Sequence, residues 1–121
     1  MMKNLALVIE DDEDLSEIFT KALEQAGFDV ETIRDGKLAQ ARLGQEPMPN
    51  VIALDLHLPH VDGATLLKQI HADERFAKTR VILTTADAVQ AEFLHDMATI
   101  VLVKPISFSQ LRDISARLKV G

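Results

Sequence analysis

Five short runs of branched apolar residues recur along this chain: Leu5 to Ile9, Val30 with Ile33, Val51 to Leu54, Val81 to Leu83, and Ile100 to Val103. A run apolar at every position has no solvent face. It suits a strand buried on both sides, as in a parallel sheet layered between helices. Helical repeats fill the intervals. Leu15, Ile18, Phe19, Ala22, Leu23 and Ala26 recur every three or four residues, with acids in the first turn and Gly27 placed as a C-terminal stop. Asp35 caps a second helix carrying Leu38, Ala39 and Leu43 before Pro47 and Pro49 break the chain. Ala64, Leu67, Ile70 and His71 mark a third after the loop of Pro59, Asp62 and Gly63, and a short fourth lies between Ala88 and Asp96. Ser107 and Gln110 form a capping box for a fifth, whose inner face is Phe108, Leu111, Ile114 and Leu118. Right-handed crossovers leave few arrangements of such units other than an α/β domain with a parallel sheet covered on both faces. With no repeat, low-complexity tract or linker, residues 1–121 read as a single domain.

Composition narrows the function. The absence of cysteine excludes a disulfide framework, a thiolate nucleophile and Cys-based metal sites, and it fits a reducing cytoplasm. With 13 Lys and Arg against 19 Asp and Glu, the net charge is −6, which argues against direct contact with nucleic acid or an anionic membrane. The N-terminus has one lysine, an apolar pentad and then five acids from Glu10 to Asp14, which is no signal peptide. No apolar run approaches the roughly 18 residues of a membrane-spanning helix.

Ligands of open α/β sheets bind beyond the carboxyl ends of the strands. Here those ends carry Glu10, Asp11 and Asp12 after the first run, Asp55 after the third, Thr84 and Thr85 after the fourth, and Lys104 after the fifth. Gathered at one edge, these hard oxygens and one ammonium suit magnesium and phosphate. A divalent cation relieves the mutual repulsion of the carboxylates, and Asp55 then serves as a nucleophile toward phosphorus. Any one of these residues alone reads as a solvated loop acid, a strand-end threonine or an exposed lysine; the weight lies in all four strand ends together. Glu13 and Asp14 read as helix-dipole partners, and Asp62 with Gly63 as turn and helix-start chemistry.

Over essentially its whole length the chain resembles the receiver domains of two-component response regulators, in the manner of single-domain chemotaxis-type regulators. Glu10-Asp11 matches the acidic pair, Asp55-Leu56-His57-Leu58-Pro59 with Asp62-Gly63 the phosphoacceptor loop, Thr85-Ala86 the switch hydroxyl, and Lys104-Pro105 the lysine–proline pair. The resemblance implies a flavodoxin-like, doubly wound (βα)5 sandwich with strand order 2-1-3-4-5. It further implies that Asp55 accepts a phosphoryl group and ligates Mg2+ with Asp11, with Glu10 through water and with the His57 backbone carbonyl. Lys104 would hold a phosphoryl oxygen, and Thr85, rather than Thr84, would swing inward to bond the phosphoryl group. A cis peptide between Lys104 and Pro105 is implied as well. The donor would be a histidine kinase or phosphotransfer protein, and the recipient a downstream effector protein or an output domain; a homodimer is compatible with the reading.

Two departures bear on output. Val101 stands where the family usually places a rotating Tyr or Phe, and Met97 where glycine is common. The interval from Thr85 to Lys104 is short by nearly one helical turn, so the fourth helix is expected to be truncated or displaced and the output face atypical. His57 and Asp87, each two residues beyond a reactive position, flank the path of attacking water and are expected to tune the lifetime of the acyl phosphate.

Competing functions fare less well. Zinc at His57 and His60 is disfavoured, because their spacing suits a helix and they lie in a loop; His71 and His95 read as helix-surface residues. Aspartyl phosphatases want a second Asp two residues after the nucleophile, where this chain has His57, so no enzyme activity is expected beyond its own phosphorylation and dephosphorylation. Neither glycine-rich phosphate loop is present. The serious alternative is a pseudo-receiver, a binding or dimerisation module independent of phosphorylation.

Overall fold

Each α-helix of the chain starts on a residue whose short side chain accepts from an otherwise orphaned backbone N–H. Asp12 accepts from Leu15 N at 2.9 Å, Asp35 from Lys37 N at 2.8 Å, Asp62 from Thr65 N at 2.8 Å, Asp87 from Gln90 N at 2.9 Å, and Ser107 from Gln110 N at 3.0 Å. The computed structural model describes residues 4–120. In chain order it contains β1 (Leu5–Ile9), α1 (Glu13–Gln25), β2 (Asp29–Ile33), α2 (Gly36–Leu43), β3 (Val51–Asp55) and α3 (Gly63–Ala72). After a 3-10 turn at Glu74–Phe76 come β4 (Arg80–Thr85), α4 (Ala88–Leu94), a second 3-10 turn at His95–Met97, β5 (Ile100–Val103) and α5 (Phe108–Arg117).

All five strands are parallel, in the order β2-β1-β3-β4-β5. Alternate residues of each strand enter opposite layers, the period of two that an extended backbone imposes. Leu7, Ile9, Ile52, Leu54 and Leu83 pack with Ala39 and Leu43 of α2 and Leu66, Leu67 and Ile70 of α3. Ala6, Val8, Ala53 and Ile82 pack on the other face with Phe19, Ala22 and Leu23 of α1 and Leu111 of α5. The small alanines on that face share their layer with Phe19, one of the largest fully buried side chains.

The expected elements are all present, with local corrections. Ile18 is 40% exposed and Leu38 65% exposed, although both belong to the apolar repeats of their helices. α2 has only two turns, and Ala39 and Leu43 already occupy its inward stripe; Leu38 lies about 100° around the helix from Ala39. The fourth helix is indeed short, seven residues followed by a 3-10 turn. Gly27 follows the end of α1 at φ 104°, the left-handed position that glycine occupies without steric cost. The Lys104–Pro105 peptide is cis, and so is Glu46–Pro47, which no sequence signal had marked. Among the described residues, no helix is long and apolar enough to cross a membrane.

Candidate functional site

The register of the sheet decides which residues meet. Ile9 pairs with Leu54, and Asp55 with Thr84, so β1 and β3 end level and Glu10 and Asp55 leave the sheet side by side. Thr85 pairs with Val103, which brings Lys104 to the same edge. Glu10 is 1% exposed and Asp55 3%, while Asp11 is open to solvent. One carboxylate oxygen from each of Glu10, Asp11 and Asp55 lies within 4.8 Å of the others. Lys104 Nζ donates to Glu10 Oε1 at 2.8 Å and stands 3.5 Å from Asp55 Oδ1. The second Glu10 oxygen accepts from Asp12 N at 3.2 Å, and Asp55 Oδ1 accepts from His57 N at 3.3 Å.

Two buried carboxylates against one ammonium leave a deficit of positive charge. Burial pushes the Glu10 carboxyl up to about 7, with the Asp55 charge adding to the rise and the Lys104 hydrogen bond opposing it. Burial alone would pull Lys104 down, but hydrogen bonding to Glu10 and the charges of Asp55 and Glu10 outweigh it, and its pKa is raised. Lys104 is therefore held as a cation over the acidic pair. The three carboxylates fit a small divalent cation in donor chemistry: all are hard oxygens, converging from adjacent strand ends, with two of them buried and short of counter-charge.

The two threonines at the end of β4 part company. Thr84 Oγ1 donates to the Leu54 carbonyl at 3.4 Å within the sheet. Thr85 Oγ1 accepts from Asp87 N at 2.9 Å, which leaves its hydroxyl proton uncommitted. Asp87 itself caps α4, His57 is exposed, and Val101 is half-buried against the α2/α3 layer. His60 Nδ1 engages the Asp35 carboxylate at the start of α2, while His71 and His95 are exposed.

Two glycines prove structural in a way that turn chemistry did not convey. A Cβ on Gly63 would stand 2.0 Å from the Asp55 carbonyl oxygen, and one on Gly36 1.7 Å from the Val61 carbonyl oxygen. Gly63 N donates to the Leu56 carbonyl at 2.8 Å, so α3 begins flush against the segment that carries Asp55. The Asp-Gly spacing was visible in the sequence, but not the backbone it abuts.

Fold and site together define an open, doubly wound α/β domain with an edge of three converging carboxylates answered by one lysine. Residues 6–116 match the response regulator receiver domain. The chain belongs to that family, the receiver domains of two-component response regulators. It is 42% identical over 80 residues to the DNA-binding dual master transcriptional regulator RpaA of Synechocystis, covering 66% of this chain and 33% of that protein. It is 31% identical to the probable methanogenesis regulatory protein FilR2 of Methanothrix harundinacea, covering 95% of this chain and 81% of that one. The phosphorylated cyanobacterial phytochrome response regulator RcpA superposes with a TM-score of 0.81 at 26% identity, covering 97% of this chain and 91% of that one. The chain thus spans a third of RpaA and about four-fifths of FilR2.

Proposed function

We propose that this domain is a Mg2+-dependent phosphoacceptor, with Asp55 the nucleophile, fed by a phosphohistidine donor on a histidine kinase or phosphotransfer protein. The observation that carries the reading is Lys104 Nζ lying 2.8 Å from Glu10 and 3.5 Å from Asp55, with three carboxylates converging beside it. An Asp55 oxygen forms the bond to phosphorus as the P–N bond of the donor breaks, and the imidazole leaves with the electron pair of that bond. A magnesium ion held by Asp11, Asp55, the His57 carbonyl and, through water, Glu10 would offset the negative charge collected on the transferring group. Lys104 shifts its ammonium from the carboxylates to a phosphoryl oxygen, a short movement for a side chain already within reach of Asp55. Thr85 contributes its free hydroxyl proton to another oxygen, and the β4–α4 loop follows through the bond between Asp87 N and Thr85.

That RcpA is phosphorylated, at 26% identity over nearly the whole chain, supports the reading. With His57 in place of a second acidic residue, the chemistry stops at the domain's own phosphorylation and dephosphorylation. A cytoplasmic location and an effector protein or output domain as recipient complete the proposal. Seven residues of α4 and Val101 make the output face unlike the family's usual one. The test is incubation with magnesium and acetyl phosphate, read promptly by intact mass beside Asp55→Ala. A phosphoryl adduct on the wild type alone is the expected result. No adduct, together with no magnesium effect on thermal stability, would transfer the assignment to a phosphorylation-independent pseudo-receiver.

A further inference from the structure

The amino-terminal edge of the sheet, opposite Asp55, carries a polar cleft of about 680 Å3 where β3, β4 and β5 begin and α5 ends. Lys78, Arg80, Arg117 and Lys119 line it, and among the described residues no carboxylate does. In a chain of net charge −6 this is an unusual concentration. Lys21, Arg34, Arg42, Arg75, Lys104 and Arg112 each stand beside a carboxylate. None of the four cleft cations forms an ion pair among the described residues.

Two neutral side chains of the cleft are donors too. Asn50 Oδ1 accepts from Leu5 N at 2.8 Å, which fixes the orientation of the amide and leaves its NH2 without a partner among the described residues. Thr99 Oγ1 accepts from Val81 N at 3.0 Å, so its hydroxyl proton is likewise left to donate. Both acceptor atoms are used by the strand ends, so the Asn50 amide and Thr99 hydroxyl protons remain to donate, while the Thr79 hydroxyl donates to the Pro49 carbonyl at 2.7 Å.

We propose that this cleft binds a compact polyphosphate group, free or carried by a nucleotide. Two guanidinium forks and the Lys78 ammonium match several phosphoryl oxygens at once, while the Lys119 ammonium rests over Gly27 and adds its charge from there. The volume is that of a small-molecule site. An extended polyanion would meet the acidic remainder of the surface, whereas a compact ligand feels chiefly the local cations, since charges beyond about 8 Å are screened at physiological ionic strength. The site is separate from Asp55 and does not depend on phosphorylation there.

The experiment titrates the metal-free protein in EDTA, at constant ionic strength, with inorganic tripolyphosphate in one arm and adenosine triphosphate in the other, followed by backbone and Asn side-chain NMR. Saturable shifts at Asn50, Thr79 and Thr99 are expected. Arg80→Gln and Arg117→Gln, both exposed in the wild type, should each weaken binding roughly tenfold. Lys37→Gln and Lys68→Gln, outside the cleft, should leave it unchanged. Equal affinity in the two arms assigns recognition to the phosphates alone, and tighter binding of the nucleotide adds a contact from its nucleoside. Shifts confined to the Lys104 edge, equal losses in the Lys37 and Lys68 variants, an equal effect of sulfate, or no saturation in either arm would overturn the proposal.

Discussion

Glu10 makes the metal-free domain lose stability as pH rises, the reverse of an ordinary buried acid paired by a cation. Its carboxyl sits at about 7 in the folded chain against an ordinary value near 4.5, with burial the principal cause. The folded state therefore holds this proton more tightly than the unfolded state. The resulting stabilisation is complete below about 4.5 and disappears as pH climbs through 7. A tenfold change in proton affinity is worth about 1.4 kcal/mol, so the full swing is about 3 kcal/mol. At 1% exposure, solvent does little to screen it. The assay is urea denaturation in EDTA at pH 5 and pH 8, comparing wild type with Glu10→Gln, which does not titrate and keeps one oxygen for Lys104 while giving up the acceptor of Asp12 N, a loss that is the same at both pH values. His95, raised by its bond to the Glu92 carbonyl and by Asp96, shifts stability in the same direction in both proteins and drops out of the difference. Wild type should lose most of that 3 kcal/mol relative to the variant on going to pH 8. Parallel losses in the two proteins, or a wild-type gain at pH 8, would refute the argument that burial and Asp55 dominate over Lys104.

Asp55→Asn removes one of two buried carboxylates crowded around a single ammonium, so the metal-free variant should be no less stable than wild type and up to about 1 kcal/mol more so, while its phosphoryl adduct is lost; denaturation and intact mass check both. Marked destabilisation would mean that Asp55 chiefly supports the fold. Gly63→Ala places a methyl 2.0 Å from the Asp55 carbonyl oxygen and 2.6 Å from Leu56 Cα, both rigid backbone. It should cost about 1–3 kcal/mol and reduce the stabilisation by magnesium, measured as the difference in Tm with and without the ion. His57→Ala with Asp87→Asn, the latter keeping an acceptor for Gln90 N, should change the half-life of the acyl phosphate severalfold; an unchanged half-life would remove the tuning role.

The order of strands and helices was legible because its determinants are local. Apolar runs, a three-to-four-residue repeat and short polar caps each act over a few residues, and all five α-helical caps stand where an Asp or Ser precedes the repeat. The four strand ends were equally readable, since an apolar run that stops on Asp55 or Lys104 announces its own boundary. Long-range register was not. Nothing near Lys104 in the chain says that its ammonium rests on Glu10, 94 residues away. Helix docking was beyond reach for the same reason: Ile18 and Leu38 obey the apolar pattern and still face solvent, because the sheet meets only part of each helix. The close approach of Gly63 to Asp55, and the basic cleft formed where Asn50, Arg80, Thr99 and Arg117 converge, depend on backbones and side chains brought together from distant positions. Sequence by itself determined which residues could do chemistry and at which edge of a parallel sheet. Tertiary structure decided which of them touch, which are stripped of water, and hence that a carboxylate such as Glu10 holds its proton near neutrality.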